Sequence, residues 1–191
     1  MQDATVWTMM RRQSYWLTLL MSIGILQIGC VHRIHLPSLA DDVATASIPM
    51  TVQLEMPFLA IEGADHMPGI PLLEWPVKDL RRTALDYFTR RQTFRAVALE
   101  PAELRLVIKA WLTLRAPDRY LYRVHLESEL SFPGQKPIKT YAVEGEAFGS
   151  SVRWNTASDQ EPIVEATTQA LRQLASDIEQ DQELITKSIP P

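Results

Sequence analysis

The residues that could do chemistry in this 191-residue chain are one cysteine, four histidines and a pair of glutamates, Glu144 and Glu146. A single cysteine excludes an intramolecular disulfide and a cysteine-based metal cluster. The two glutamates share one side of a predicted strand, where solvent-facing acids are more common than a catalytic pair. No glycine-rich phosphate loop, nucleophile elbow or metalloprotease helix motif occurs. The sequence therefore predicts a protein that is not an enzyme and has no metal or cofactor.

The histidines do not form a recognisable catalytic set. His32 and His35 lie in a segment without regular periodicity, where a catalytic side chain could not be held in place. His66 follows Asp65 in a loop rich in proline and glycine, and His125 belongs to the polar side of a predicted strand. The net charge of −4 also argues against nucleic-acid binding, which normally needs a basic surface.

The cysteine, Cys30, closes an apolar N-terminal run. Arg11 and Arg12 precede an apolar stretch over residues 16–26, and Gly29 stands directly before the cysteine. A basic start, an apolar core and a small residue at the break define a secretory signal peptide. The core is shorter than the roughly 20 residues of a membrane span. We expect cleavage between Gly29 and Cys30, which removes residues 1–29, and a true start at Met10. An uncleaved membrane anchor and a coincidental cysteine stay open as alternatives.

The sequence Leu26-Gln27-Ile28-Gly29-Cys30 resembles the lipobox of bacterial lipoproteins. The resemblance implies that the Cys30 sulfur receives a diacylglyceryl group and that further acylation, for example with palmitate, anchors the chain to a membrane. Gln27 departs from the aliphatic residue that is usual three positions before the cysteine. Val31 resembles the outer-membrane default, whereas an Asp there would retain the protein in the inner membrane. We expect a lipid-anchored protein on the periplasmic face of the outer membrane.

The rest of the chain predicts a single α+β domain over residues 49–180. Residues 30–48 are predicted to hold the lipidated cysteine and a flexible tether, and residues 181–191 a disordered tail. Alternating apolar residues predict strands, and apolar residues three or four apart predict helices. These strands lie at residues 50–59, 94–98, 103–115, 120–132 and 138–148, and the helices at 77–92 and 163–180. We expect an antiparallel sheet of four to five strands with two helices packed on one face. Pro57 weakens the first strand or places it at an edge.

The order of these elements and the Ala/Leu/Gln-rich last helix resemble small periplasmic lipoproteins. Among these are the lipopolysaccharide-assembly lipoprotein and the auxiliary lipoproteins of ABC-type export systems. The resemblance covers about residues 50–180. It implies an accessory or assembly subunit of an envelope complex, with an envelope protein as its partner.

Two groups of residues are candidates for partner contact. Met67, Ile70 and Trp75 lie between prolines and glycines, so no regular element buries them. Trp111 shares a strand face with Arg105, Lys109 and Arg115, which could meet anionic lipid headgroups or a protein. Packing of the loop over the sheet, which would cover Trp111, is an open alternative. A carrier that holds a lipid or other hydrophobic molecule between sheet and helices is the alternative function.

Overall fold

The computed structural model describes residues 32–34, 36–37, 39, 42–63, 73–74, 77–115, 120–149 and 160–189. Seven strands and three helices lie in these ranges. In chain order they are β1 (His32–Arg33), β2 (Ile48–Gly63), β3 (Leu73–Glu74), α1 (Val77–Arg91), β4 (Phe94–Ala98), β5 (Leu104–Arg115), β6 (Leu121–Ser131), β7 (Pro137–Phe148), α2 (Gln160–Gln180) and α3 (Gln182–Lys187).

Five strands form the main sheet, in the order β4-β2-β5-β6-β7, while β1 and β3 pair separately. The predicted α+β fold with two helices against one face of a sheet is confirmed. The sheet is mixed, because β2 is parallel to both β4 and β5, whereas β5, β6 and β7 are antiparallel neighbours. Helix α1 brings the chain back so that β4 runs beside β2. Residues 99–103 then carry it to the other side of β2 without reversing its direction.

The core lies between the sheet and the helices. In β5 every second side chain from Leu104 to Leu114 is buried, as period-2 alternation requires when one sheet face is covered. Helix α1 packs on β2 and β4, and α2 packs on β6 and β7. The α2 backbone approaches so closely that a methyl group at Gly145 would collide with the carbonyl oxygen of Ala166. Within the described residues, no helix is both long and apolar enough to cross a membrane.

A buried ion pair joins the end of α1 to α2. Arg91 Nε donates to Glu179 Oε1 at 2.8 Å, and both side chains are almost fully buried. The hydroxyls of Thr45 and Thr93 donate to the same carboxylate at 2.9 Å, and Arg91 Nη1 lies 2.6 Å from Asp42 Oδ2. Burial raises the pKa of Glu179, but these hydrogen bonds outweigh it and hold the pKa below its ordinary value. The network fixes residues 42–45 to the domain.

Both ends of the described chain are more ordered than the sequence predicts. In the predicted tether over residues 30–48, Ile34 and Leu39 are buried in the main core. The predicted disordered tail over residues 181–191 contains α3, whose Ile185 is fully buried. In both segments, isolated apolar residues without sustained periodicity find partners on distant elements. The described residues from Ile34 onward therefore belong to the folded domain.

Candidate partner-binding surface

The main sheet has one face that the described helices do not cover. We call it the open sheet face, the side of β2, β5, β6 and β7 that carries Phe58, Trp111, His125 and Glu144. It exists because the outward side chains of β5 alternate with the buried ones that face the helices. Antiparallel sheets commonly leave one face to solvent in this way. The face is therefore a regular surface of the described domain on which a partner could dock.

An aromatic row crosses three neighbouring strands on the open sheet face. The ring centroids of Phe58 and Trp111 are 5.4 Å apart, with 56° between the planes. Those of Trp111 and His125 are also 5.4 Å apart, at 52°. Trp111 pairs with His125 on β6 and with the small Ala60 on β2, so Phe58 reaches it diagonally. Tilted rings at this spacing stabilise one another and hold the row in place.

A β-bulge at Pro57 brings Phe58 to this face. Strict alternation would place Phe58 with the buried Met56, on the helix side. In the structure Glu55 pairs with Val107 and Phe58 with Lys109, so two residues of β2, Met56 and Pro57, lie opposite the single Ile108 and the register shifts by one. A bulge re-aims the side chains that follow it. Phe58 is 43% exposed and is a candidate contact residue that sequence reasoning missed. The signal that could have found it is the proline, which cannot donate to the ladder.

On the open sheet face, two basic residues of β5 form ion pairs with acidic residues of neighbouring strands. Arg105 donates to both carboxylate oxygens of Glu55, at 2.9 and 2.6 Å. These hydrogen bonds hold the pKa of Glu55 below its ordinary value, against partial burial, which raises it. Lys109 Nζ lies 3.8 Å from Glu129 Oε1. Arg105 and Lys109 are therefore matched by acids on neighbouring strands, and this weakens the case that they meet anionic lipid.

Acidic residues dominate the other side of the open sheet face. Arg123 Nε donates to Glu146 Oε1 at 2.6 Å, and it lies 3.7 Å from Glu144 Oε2. His125 Nδ1 lies 3.3 Å from Glu144 Oε1, and its Nε2 lies 3.6 Å from Glu127 Oε1. Glu144 and Glu146 are thus solvent-facing acids that lie beside Arg123 and His125. The face carries a fixed charge pattern around an aromatic centre, which suits the recognition of one particular protein surface.

A shallow concavity of about 320 Å³ lies on the same face, with Val107, Lys109, Glu129, Thr140 and Ala142 in its lining. By contrast, the space between the sheet and the helices is filled in the described part of the chain. Fully buried side chains occupy it, among them Leu106, Ile108, Leu112, Leu126 and Leu171. This packing argues against an interior carrier cavity there. In the described ranges, no three His, Asp or Glu side chains are grouped to hold a metal ion.

The predicted site residues fall into two groups. Trp111 lies at the centre of the aromatic row. Gly29, Cys30, Met67, Ile70 and Trp75 lie outside the described residues, as do His35 and His66. Predictions for those residues stay predictions. The structure therefore joins Trp111 to His125, which the sequence had placed on one sheet face, and adds Phe58.

Comparison with known proteins extends the description of the fold. No protein-family model matches the sequence, and no curated protein matches it. Among solved structures, a Xanthomonas campestris protein described under the family DUF330 is 16% identical; the match covers 81% of this chain and 99% of that one, with a TM-score of 0.60. A minor lipoprotein of Acinetobacter baumannii is 11% identical over 65% of this chain and 93% of its own, with a TM-score of 0.44. The chain thus shares its fold with the Xanthomonas protein.

Proposed function

We propose that this chain is a periplasmic lipoprotein anchored to the outer membrane through acylated Cys30, and that it acts as a non-enzymatic accessory or assembly subunit of an envelope complex. The anchoring is supported by the lipobox-like sequence around Gly29 and Cys30. One acyl chain holds a protein only marginally at a membrane, whereas two or more anchor it stably. A mature lipoprotein carries several, so no spanning helix is needed.

The accessory role is supported above all by the aromatic row of Phe58, Trp111 and His125 on the open sheet face. Aromatic side chains at the centre of a surface and charged ones around it match the anatomy of protein–protein interfaces. The residues that bind the partner would be Phe58 and Trp111, with Glu127 and Lys109 at the rim. The filled interior favours this role over a carrier for a hydrophobic molecule.

Site-specific photo-crosslinking in cells tests the proposal. A photoreactive residue replaces Lys109 or Glu127 on the open sheet face, and a matched control replaces Gln173 on the outer side of α2. We expect one discrete crosslinked envelope protein from the two sheet positions and none from position 173, with the product lost in the Cys30→Ala chain. The same product from all three positions, or no protein product from the sheet, would contradict the proposed docking surface.

A further inference from the structure

The chain that links Cys30 to the folded domain is short. Ile34 is fully buried in the core, and only residues 31–33 separate it from the cysteine. Two of these, His32 and Arg33, pair with Leu73 and Glu74 in the β1–β3 ladder. Four extended residue steps span at most about 14 Å. An acyl group on Cys30 would therefore hold one particular side of the domain close to the bilayer.

That side is the outer surface of α1. Strand β3 ends at Glu74, and α1 begins at Val77, so the paired N-terminal segment lies at the start of this helix. Leu36 and Pro37 line a shallow depression together with Arg82 and Leu85. The segment is also fixed farther along the helix, because Arg90 Nη2 donates to the Leu39 carbonyl oxygen at 2.8 Å. The described residues Leu36, Pro37 and Leu39 thus lie along α1.

The exposed side of α1 carries a concentration of positive charge. Lys78, Arg81 and Arg82 are exposed and lie within one turn of each other, where side chains three and four positions apart are neighbours. All three line a second groove beside α1, together with Asp79. Among the described residues, none of the three has a carboxylate within salt-bridge distance. We call these three residues the α1 basic surface. These three residues differ from Arg105 and Arg123, each of which is paired with a glutamate on a neighbouring strand.

Apolar side chains lie beside the α1 basic surface. Leu85 and Leu99 line the same groove, and Leu99 is 51% exposed. Basic side chains with apolar neighbours suit the headgroup region of a bilayer, where the charges meet phosphates and the apolar groups meet the acyl boundary. The surface lies beside the short link to Cys30, and it is positively charged. Both features point to anionic phospholipid as the molecule that it contacts.

We propose that the α1 basic surface lies against anionic phospholipid headgroups of the leaflet that holds Cys30. This inference rests on the proposed anchoring through Cys30. It orients the domain: α1 faces the membrane, and the open sheet face, on the opposite side of the sheet, is directed into the periplasm toward a protein partner. The lipid anchor holds the domain at the bilayer, and the basic surface, kept close to the headgroups by that anchor, then fixes one pose.

Fluorescence quenching in vesicles tests the orientation. The mature acylated protein has no free thiol, so Leu99→Cys provides one labelling position beside α1, and Glu129→Cys provides a matched one on the open sheet face. Each labelled protein is inserted into phosphatidylethanolamine vesicles with or without phosphatidylglycerol, which contain a lipid quencher at headgroup depth. We expect strong quenching at position 99 in vesicles with phosphatidylglycerol and none at position 129. Equal quenching at both positions would overturn the inference.

A charge variant separates electrostatics from mere proximity. In the Leu99→Cys protein, Lys78→Gln, Arg81→Gln and Arg82→Gln are combined, since glutamine keeps helix propensity. Each basic residue near an anionic surface contributes about a fivefold factor, so all three contribute roughly 100-fold. We expect the quenching at position 99 to be lost while far-UV circular dichroism is unchanged. Retention of full quenching would show that these charges do not contact the lipid.

The failure of the anchor and the failure of the orientation give different results. Intact-mass analysis reports acylation of Cys30, and vesicle flotation reports anchoring. A chain that is neither acylated nor floated would contradict the proposed function itself. A chain that is acylated and floats, but whose position 99 is no more quenched than position 129, would contradict only the proposed orientation.

Discussion

The open sheet face and the α1 basic surface use the same basic residue types in opposite ways. On the sheet, Arg105 and Arg123 are held by glutamates on neighbouring strands, so their charges form a local pattern. On the helix, Lys78, Arg81 and Arg82 have no such partners among the described residues, so their charges add to one field. A paired pattern gives specificity toward one partner, whereas an uncompensated field attracts any anionic surface. The difference suits a protein face and a membrane face.

The largest effect is expected from a substitution that destabilises the whole domain, because both surfaces are lost when it unfolds. Gly145→Ala would place a methyl group against the backbone of α2 at Ala166, which cannot move aside. Overpacking typically costs about 1–3 kcal/mol and more where backbone must shift. We expect a loss of at least about 3 kcal/mol in the free energy of unfolding, measured by urea denaturation. Gly134→Ala is the control for a glycine substitution without overpacking. A Cβ at position 134 would meet open space, and only the positive φ of 75° opposes the change. Wild-type stability in Gly145→Ala would contradict the close packing.

Glu179→Gln would loosen residues 42–45, which the buried ion-pair network holds against the domain. Because these residues follow the segment that lies along α1, the substitution should also make the proposed orientation of α1 toward the membrane less fixed. The substitution leaves the buried Arg91 with only Asp42 as a charged partner. Breaking a buried ion pair costs about 3 kcal/mol or more. We expect this loss in urea denaturation, together with faster hydrogen exchange at Thr45, whose amide donates to Glu179. Unchanged exchange at Thr45 would show that the segment is held by other contacts.

The same network predicts acid sensitivity. The pKa values of Glu179 and Asp42 are lowered in the folded state, so the unfolded chain binds protons more readily. Their stabilisation is therefore present above about pH 4.5 and is lost as the pH falls toward their folded-state pKa values. We expect the difference in unfolding free energy between wild type and Glu179→Gln to shrink in this range. A difference that stays constant as the pH is lowered would assign the stabilisation to other groups.

Trp111→Ala should affect the open sheet face and leave the α1 basic surface unchanged. Central aromatic residues in an interface typically contribute about 2 kcal/mol or more, which is about a 30-fold loss of affinity. We expect that loss for the crosslinked partner, measured with the purified proteins, while quenching at position 99 in vesicles is unchanged. Val107→Ala, on the same strand and face, is the control for general perturbation and should weaken binding much less. Equal effects of both variants would remove Trp111 from the centre of the interface.

The smallest effects are expected from removing a single exposed charge on each surface. Arg82→Gln and Arg105→Gln each remove one exposed charge, and surface substitutions usually change stability by about 0.5 kcal/mol or less. We expect thermal unfolding of both variants to resemble that of the wild type. Only Arg82→Gln should lower lipid quenching at position 99, since Arg105 is already paired with Glu55. An equal loss of quenching in both variants would mean that general charge, and not the place of α1, governs the contact.

The sequence predicted most elements to within a few residues because alternation and helical periodicity are local signals. Helix α1 ends at Arg91 against a predicted 92, and β5 spans Leu104–Arg115 against 103–115. The parallel pairing of β2 could not be predicted, since a strand's own pattern does not state the direction of its neighbours. The Arg91–Glu179 pair joins residues 88 positions apart, and no local pattern links them.

The candidate surface was predictable in part for the same reason. Alternation placed Trp111 and His125 on the polar sides of their strands, but it gave no sign that Phe58 joins them, because strict alternation continued through Pro57 would place Phe58 on the helix side. The bulge that corrects this arises from one proline and from the register of a neighbour 50 residues later. The burial of Ile34, which makes the link to Cys30 short, depends on contacts with distant elements that a segment without periodicity does not reveal.

The Pro57 bulge also bears on solubility. Strand β4 pairs with β2 only as far as Gln53, and no described strand pairs with that edge of β2 beyond it. An exposed strand edge is a template on which a second copy of the chain could add a strand and begin aggregation. Pro57 lacks a backbone N–H, and the bulge twists the edge away from a continuous ladder. The residue that turns Phe58 outward thus also interrupts this edge of β2 as a template for self-association.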